Sequence, residues 1–136
     1  MHRKTIALIA HDSQKDALVA WCKAHHRVLS HHFLCATATT GKILEKNLNL
    51  KVHQFKSGPL GGDQQVGAKI VEGEIDCLIF FWDPLAPHPH DVDVKALLRI
   101  AAVYNLPTAI NSSTADFMVA SKLMRIELSV VHKEKA

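Results

Sequence analysis

IDCLIFFW, residues 75–82, is apolar without a break once Asp76 is passed. A run this short and this continuous reads as a strand buried on both faces, the kind found at the centre of a parallel sheet. TIALIA (5–10) has the same character and ends in a polar His-Asp pair. Between and beyond these two, the apolar pattern changes period. SQKDALVAWCKAHHRVL (13–29) carries Ala17, Leu18, Trp21, Cys22 and Val28 at helical spacing, with Asp12 or Ser13 able to cap it. HHFLCAT (31–37) reads as strand two, GKILEKNL (41–48) as a short helix and KVHQF (51–55) as strand three.

The C-terminal half continues in the same way. QQVGAKIVEGE (64–74) can be a helix, and DPLAPHPHD is a proline-broken loop after the central strand. VDVKALLRIAAVYN (92–105) is an amphipathic helix, LPTAIN (106–111) a strand and TADFMVASKLM (114–124) a last helix. RIELSVV (125–131) is a candidate for one more strand. Strands that alternate with helices from end to end specify an α/β fold. The expectation is a three-layer α/β/α Rossmann-like domain with a mostly parallel five-stranded sheet, one domain over residues 1–136. No linker, repeat or low-complexity segment interrupts it.

Bulk properties narrow the function. The chain has 136 residues, 48% hydrophobic and 21% charged, which fits an ordinary globular domain and excludes disorder. No apolar run approaches the ~18 residues of a membrane span, and TIALIA is too short for the core of a secretory signal. A soluble, cytoplasmic protein with no membrane partner is expected. The net charge of +3 is small, the basic residues are scattered, and no aromatic-basic interleaving appears along the sequence, so no nucleic-acid partner is expected. Cys22, Cys35 and Cys77 form no CxxC and read as reduced, buried thiols. Ten histidines are many, but the His25-His26 and His31-His32 pairs point their rings apart and chelate poorly. No metal is expected.

In a parallel sheet, ligands bind beyond the carboxyl ends of the strands. Every such end here is polar, small or titratable: His11-Asp12; Thr37, Thr39, Thr40 and Gly41; Ser57-Gly58 with the following Gly-Gly-Asp; Asp83 and HPHDVD; Asn111 to Thr114. Hydroxyls, glycine amides and helix N-termini suit a phosphate. TATTG (37–41), Ser57 and Gly58 are such groups. Lys15 adds a positive charge one turn into the first helix, where the dipole disfavours it unless an anion is near. Asp63, Asp83 and Asp93 are candidate general bases, and His11 and His90 candidate acids or electrophiles. Asp63 can equally be an N-cap, and Asp83 can equally start a turn. In PHPHD (87–91), His90 is better placed than His88 because Asp91 and Asp93 can orient its ring. Phosphate cradle, carboxylate and neutral histidine together suit proton abstraction beside a carbonyl on a phosphorylated small molecule, the chemistry of triosephosphate isomerase.

The stretch from Ser57 to Asn111, with GPLGGDQQ, FFWDP and PHDVDVKALLR, strongly resembles the methylglyoxal synthase family. So do ALIAHDSQK, ATATTG and TADF; the match runs in order over about residues 5–120. The resemblance implies conversion of dihydroxyacetone phosphate to methylglyoxal and inorganic phosphate, with no metal or organic cofactor. It assigns Asp63 as the base, His90 as the group that polarises the carbonyl, and His11 as a contact at the same end of the substrate. Lys15, Thr37, Ala38, Thr39, Thr40, Ser57 and Gly58 hold the phosphate, and Asp83 and Asp93 shape the proton-transfer network. The glycines of GPLGGD are then there to let backbone approach the substrate. Inorganic phosphate is implied as product and inhibitor, and a homohexamer as the assembly.

Two departures stand out. The phosphate loop reads TATT where the family commonly has TGTT; Ala38 is strained if the position needs φ > 0 and harmless if it needs only a small side chain. The C-terminal VVHKEKA also offers no match to an arginine that some relatives place beside a neighbouring subunit's site. The rival reading is a non-catalytic phosphate or nucleotide sensor, like the allosteric module of carbamoyl phosphate synthetase. Such a module needs the cradle but not Asp63 together with His90.

Overall fold

The computed structural model describes residues 3–85 and 91–125, with the side chains of residues 91–93 also outside that set. Five strands form one sheet: β1 (Thr5–Ala10), β2 (Phe33–Ala36), β3 (Val52–Gln54), β4 (Cys77–Phe81) and β5 (Thr108–Ala109). Their order is β3-β2-β1-β4-β5, and all four pairings are parallel. The continuous apolar run is β4, and it lies between β1 and β5 with every residue buried. Among the described residues the sheet is thus wholly parallel, in keeping with the unbroken hydrophobicity of β1 and β4.

Alternation along β1 splits the core in two. Ile6, Leu8 and Ala10 face α1 (Lys15–Ala24), α3 (Ala38–Leu48) and α6 (Ser112–Ala120), packing with Leu18, Leu44 and Val119. Ala7 and Ile9 face α4 (Gly62–Val71) and α5 (Asp91–Val103), packing with Val66, Ile70 and Leu97. The result is the three-layer α/β/α arrangement expected. All three cysteines are buried in these two layers, and burial pushes each thiol up to about 12. No helix among the described residues is long and apolar enough to cross a membrane.

Several boundaries differ from the sequence expectation. The predicted helix over 13–29 breaks at His25 (φ −109°, ψ 21°), giving α1 and a single further turn, α2 (His26–Leu29). The third helix starts at Ala38, so Thr39 and Thr40 form its first turn instead of preceding it. Alanine's helix preference lets the helix propagate back to Thr37, which takes an extended N-cap conformation. That helix stops at Asn49, whose left-handed φ of 51° ends the run. The last helix ends at Ala120, followed by a 3-10 turn over Lys122–Arg125. The remainder of the candidate strand RIELSVV, residues 126–131, lies outside the described residues.

Candidate active site

The carboxyl ends of β1, β2 and β3 and the start of α4 enclose a cavity of about 310 Å³. His11 and Lys15 reach it from the end of β1, Thr37 and Thr39 from β2, and Ser57 and Gly58 from β3. Asp63 enters from α4. Seven of the candidate residues therefore meet in one place, by way of three strand exits and one helix start.

Asp63 is not the N-cap of its helix. Gly61 takes that position, in a left-handed conformation (φ 103°) that favours glycine, and Asp63 follows at the second helical residue. Its side chain is buried, at 7% exposure, on the cavity wall.

The glycine-rich stretch works through packing as well as through approach to a ligand. Gly58 lines the cavity. Gly62 instead lies flat against the preceding turn: its N–H donates to Ser57 O at 2.8 Å, and an added Cβ would stand 2.0 Å from Lys56 O. The expectation that these glycines serve the substrate is thus corrected for Gly62, which joins α4 to the Ser57 turn.

On the cradle side, Thr37 caps α3 without a side-chain hydrogen bond. The N–H groups of Thr39 and Thr40 belong to the first turn, which has no intrahelical acceptors. Ala38 N–H already donates to Lys56 O at 3.4 Å, tying the two halves of the cradle together. Ala38 adopts helical φ; among the described residues the non-glycine ones with positive φ are Asn49 and Asn105. Alanine is unstrained there. Thr40 does not line the cavity; its Oγ1 is buried and has no hydrogen-bond partner among the described residues. Lys15 Nζ donates to Ala10 O at 2.8 Å and pairs with Asp12 at 2.9 Å, so the ammonium is held at the mouth instead of swinging in solvent.

His11 is buried, with its ring against the edge of Phe80 at 5.2 Å. Its Nδ1 accepts the backbone N–H of Asp83 at 3.2 Å. Asp83 itself stays off the cavity wall. Its carboxylate accepts from Ser13 Oγ at 2.6 Å and from Leu85 N–H at 3.0 Å, which makes it the turn-former that sequence left as one option. Asn111, at the end of β5, caps α6 by accepting from Thr114 N–H and does not join the site. His90 lies outside the described residues. Asp93 falls in the backbone of α5, with its side chain outside them.

Two contributors escaped sequence reasoning. Gln65 Oε1 accepts the Lys56 N–H at 2.7 Å, and Asp12 holds Lys15. Gln65 lies in GPLGGDQQ and Asp12 in ALIAHDSQK, but spacing alone does not show a side chain turning back on its own loop. A second, larger cavity of about 690 Å³ lies across the other end of β2 and β3 and shares none of these residues. Chemistry, not size, singles out the smaller one: it alone joins a buried carboxylate to a cluster of hydroxyls, amides and an ammonium.

The model of the MGS-like domain family matches residues 17–110. The chain belongs to the methylglyoxal synthase family. It is 62% identical to the methylglyoxal synthase of Cellvibrio japonicus over 118 residues, covering 87% of this chain and 77% of that one. Identity to the methylglyoxal synthase of Clostridium acetobutylicum is 55% over 123 residues, covering 90% and 85%. The crystal structure of methylglyoxal synthase from Elizabethkingia anophelis NUHP1 superposes with a TM-score of 0.86 at 53% identity, covering 90% of this chain and 80% of that one. The wholly parallel sheet and the cavity at its carboxyl edge are accordingly the framework of a methylglyoxal synthase family member.

Proposed function

We propose that the protein is a phosphate-eliminating lyase that converts dihydroxyacetone phosphate to methylglyoxal and inorganic phosphate. The observation that carries this reading is the placement of Asp63, buried, in the same cavity as Lys15, Thr37, Thr39, Ser57 and Gly58. The cradle fixes the phosphate. The carboxylate of Asp63 then takes a proton from the carbon bearing the hydroxyl, and the C–H electron pair moves into an enediolate. His11 and His90 donate to its oxygens. The enediolate pushes out phosphate as the C–O bond breaks, leaving 2-hydroxypropenal, which takes a proton at its terminal carbon and gives up its enol O–H proton to become methylglyoxal. Elimination needs the breaking C–O bond out of the enediolate plane, so the cradle must also set that torsion. Thr40 and Ala38 act in this scheme through the first turn of α3, Asp93 through the proton-transfer network, and Asp83 through the main-chain N–H that it gives to His11.

The sensor reading is less well supported. A module that only binds phosphate gains nothing from burying a carboxylate beside its anion, since like charges repel. Metal-free chemistry is part of the proposal. The wider reading is a single domain over residues 1–136 that forms a homohexamer, acts in the cytoplasm on a bypass of glycolysis and is inhibited by its product phosphate. The test is incubation of chelator-treated protein with dihydroxyacetone phosphate. Equimolar methylglyoxal and phosphate are expected. Binding of phosphate with release of neither product would leave the sensor.

A further inference from the structure

The 690 Å³ cavity at the amino ends of β1, β2 and β3 contains a combination of groups that the proposed reaction does not use. Phe33 opens β2 and is 53% exposed. The Arg3 guanidinium lies 3.9 Å from the centre of its ring. Thr5 of β1 pairs with Phe33, and the pairing of Leu34 with Val52 sets Lys51 on the other side of it. Thr5 and Lys51 are thus level with Phe33 on its two sides, and Arg3, two residues before Thr5, reaches back over the ring; the Arg3 and Lys51 backbones lie about 12 Å apart. Neither has a carboxylate partner among the described residues. Lys69 in the same cavity is by contrast paired with Glu74 at 3.3 Å and Glu72 at 3.8 Å. His53 and Phe55 continue the aromatic surface along β3 with their rings in edge contact at 5.0 Å.

His32 supplies an independent sign. It lines this cavity and is 5% exposed. Its Nδ1 accepts the Lys4 N–H at 3.0 Å, so the neutral ring carries its proton on Nε2. That Nε2 is buried and has no hydrogen-bond partner among the described residues. Buried donors without acceptors are rare because each forfeits its hydration. Burial and the cations Lys4, His31 and Arg3 hold the ring below its ordinary pKa and so neutral.

We propose that this face is a second ligand site, for a small planar organic anion. Its ring packs on Phe33 and His53, which the register places diagonally across β2 and β3, and its phosphate or carboxylate is held between Arg3 and Lys51. An oxygen of that group, or a water it orders, supplies the acceptor that His32 lacks. Arg3 Nε donates to His31 O at 3.1 Å, which leaves its other N–H groups for an anion. Aromatic surface and cations without carboxylate partners favour such a ligand over either half alone. The site is distinct from the Asp63 cavity and does not depend on the reaction proposed there.

The probe is phenylphosphonate, titrated into histidine-labelled full-length protein and followed by NMR, with His53 assigned through His53→Ala. The His53 signal is expected to move saturably. Inorganic phosphate and benzyl alcohol, which present an anion and an aromatic ring separately, are expected to move it only weakly. Arg3→Glu and Lys51→Glu are expected to weaken the probe at this site by about tenfold or more, as loss of a charge-assisted hydrogen bond requires. Their turnover of dihydroxyacetone phosphate is expected to stay at the wild-type level. The proposal is overturned if the probe moves only the His11 signal, or if Lys51→Glu binds it as tightly as the parent.

Discussion

The backbone N–H of Asp83 donates to Nδ1 of His11 across 3.2 Å. The two residues leave neighbouring strands, β4 and β1, which pair through Ala10 and Phe81. The bond fixes the neutral tautomer, so Nε2 carries the proton and His11 is a donor. A donor aimed at a developing oxyanion is worth about 10²–10³ in rate. His11→Ala should therefore lower kcat by that order with a smaller change in KM. Asp83→Asn keeps the main-chain donor and should cost much less. Steady-state kinetics on both variants separates the histidine from the turn that orients it; equal losses would mean that Asp83 acts through its carboxylate.

Asp63→Asn should reduce kcat by at least about 10², the lower bound for removing a general base. The cradle is built from other elements, so calorimetry should still detect inorganic phosphate. Retained turnover would exclude Asp63 as the base.

Gly62→Ala should destabilise the protein although the residue is as small as a substitution allows. The new methyl meets backbone, not a flexible side chain: Lys56 O at 2.0 Å and Ser57 O at 2.9 Å. Relief requires moving the Ser57 turn away from α4, with an overpacking cost of about 1–3 kcal/mol. Thermal unfolding should show the loss, and KM should rise because Ser57 and Gly58 move with the turn.

His32 gives stability a pH dependence of known sign. Its folded-state pKa lies below the ordinary histidine value, first through burial and then through Lys4, His31 and Arg3. The unfolded chain takes up the proton at about pH 6.5, while the folded chain resists it. This contribution is complete above that pH and declines as the pH falls below it. Urea midpoints measured between pH 7.5 and about 5 should fall, and His32→Gln should flatten that limb.

Much of this was legible in the residue order. The unbroken apolar runs at 5–10 and 77–81 became adjacent buried strands, because only a doubly covered parallel strand tolerates such a sequence. The polar groups after β1, β2 and β3 did converge. What sequence could not show was direction. Asp83 looks like a catalytic carboxylate when read in a line, yet its oxygens turn to Ser13 and Leu85. Gly62 looks like a ligand-facing glycine and faces Lys56. Ala38 looks like a possible strain and lies in ordinary helix. The break at His25 is a matter of backbone torsion that helical spacing does not encode.

The buried cysteines have a meaning beyond packing. Methylglyoxal is a 1,2-dicarbonyl, an electrophile that captures thiolates. With each thiol pushed up to about 12, only about one in 10⁵ is ionised at neutral pH, and all three are covered. A catalyst that releases such a compound at every turnover keeps its sulfur out of reach. It resists poisoning by what it makes.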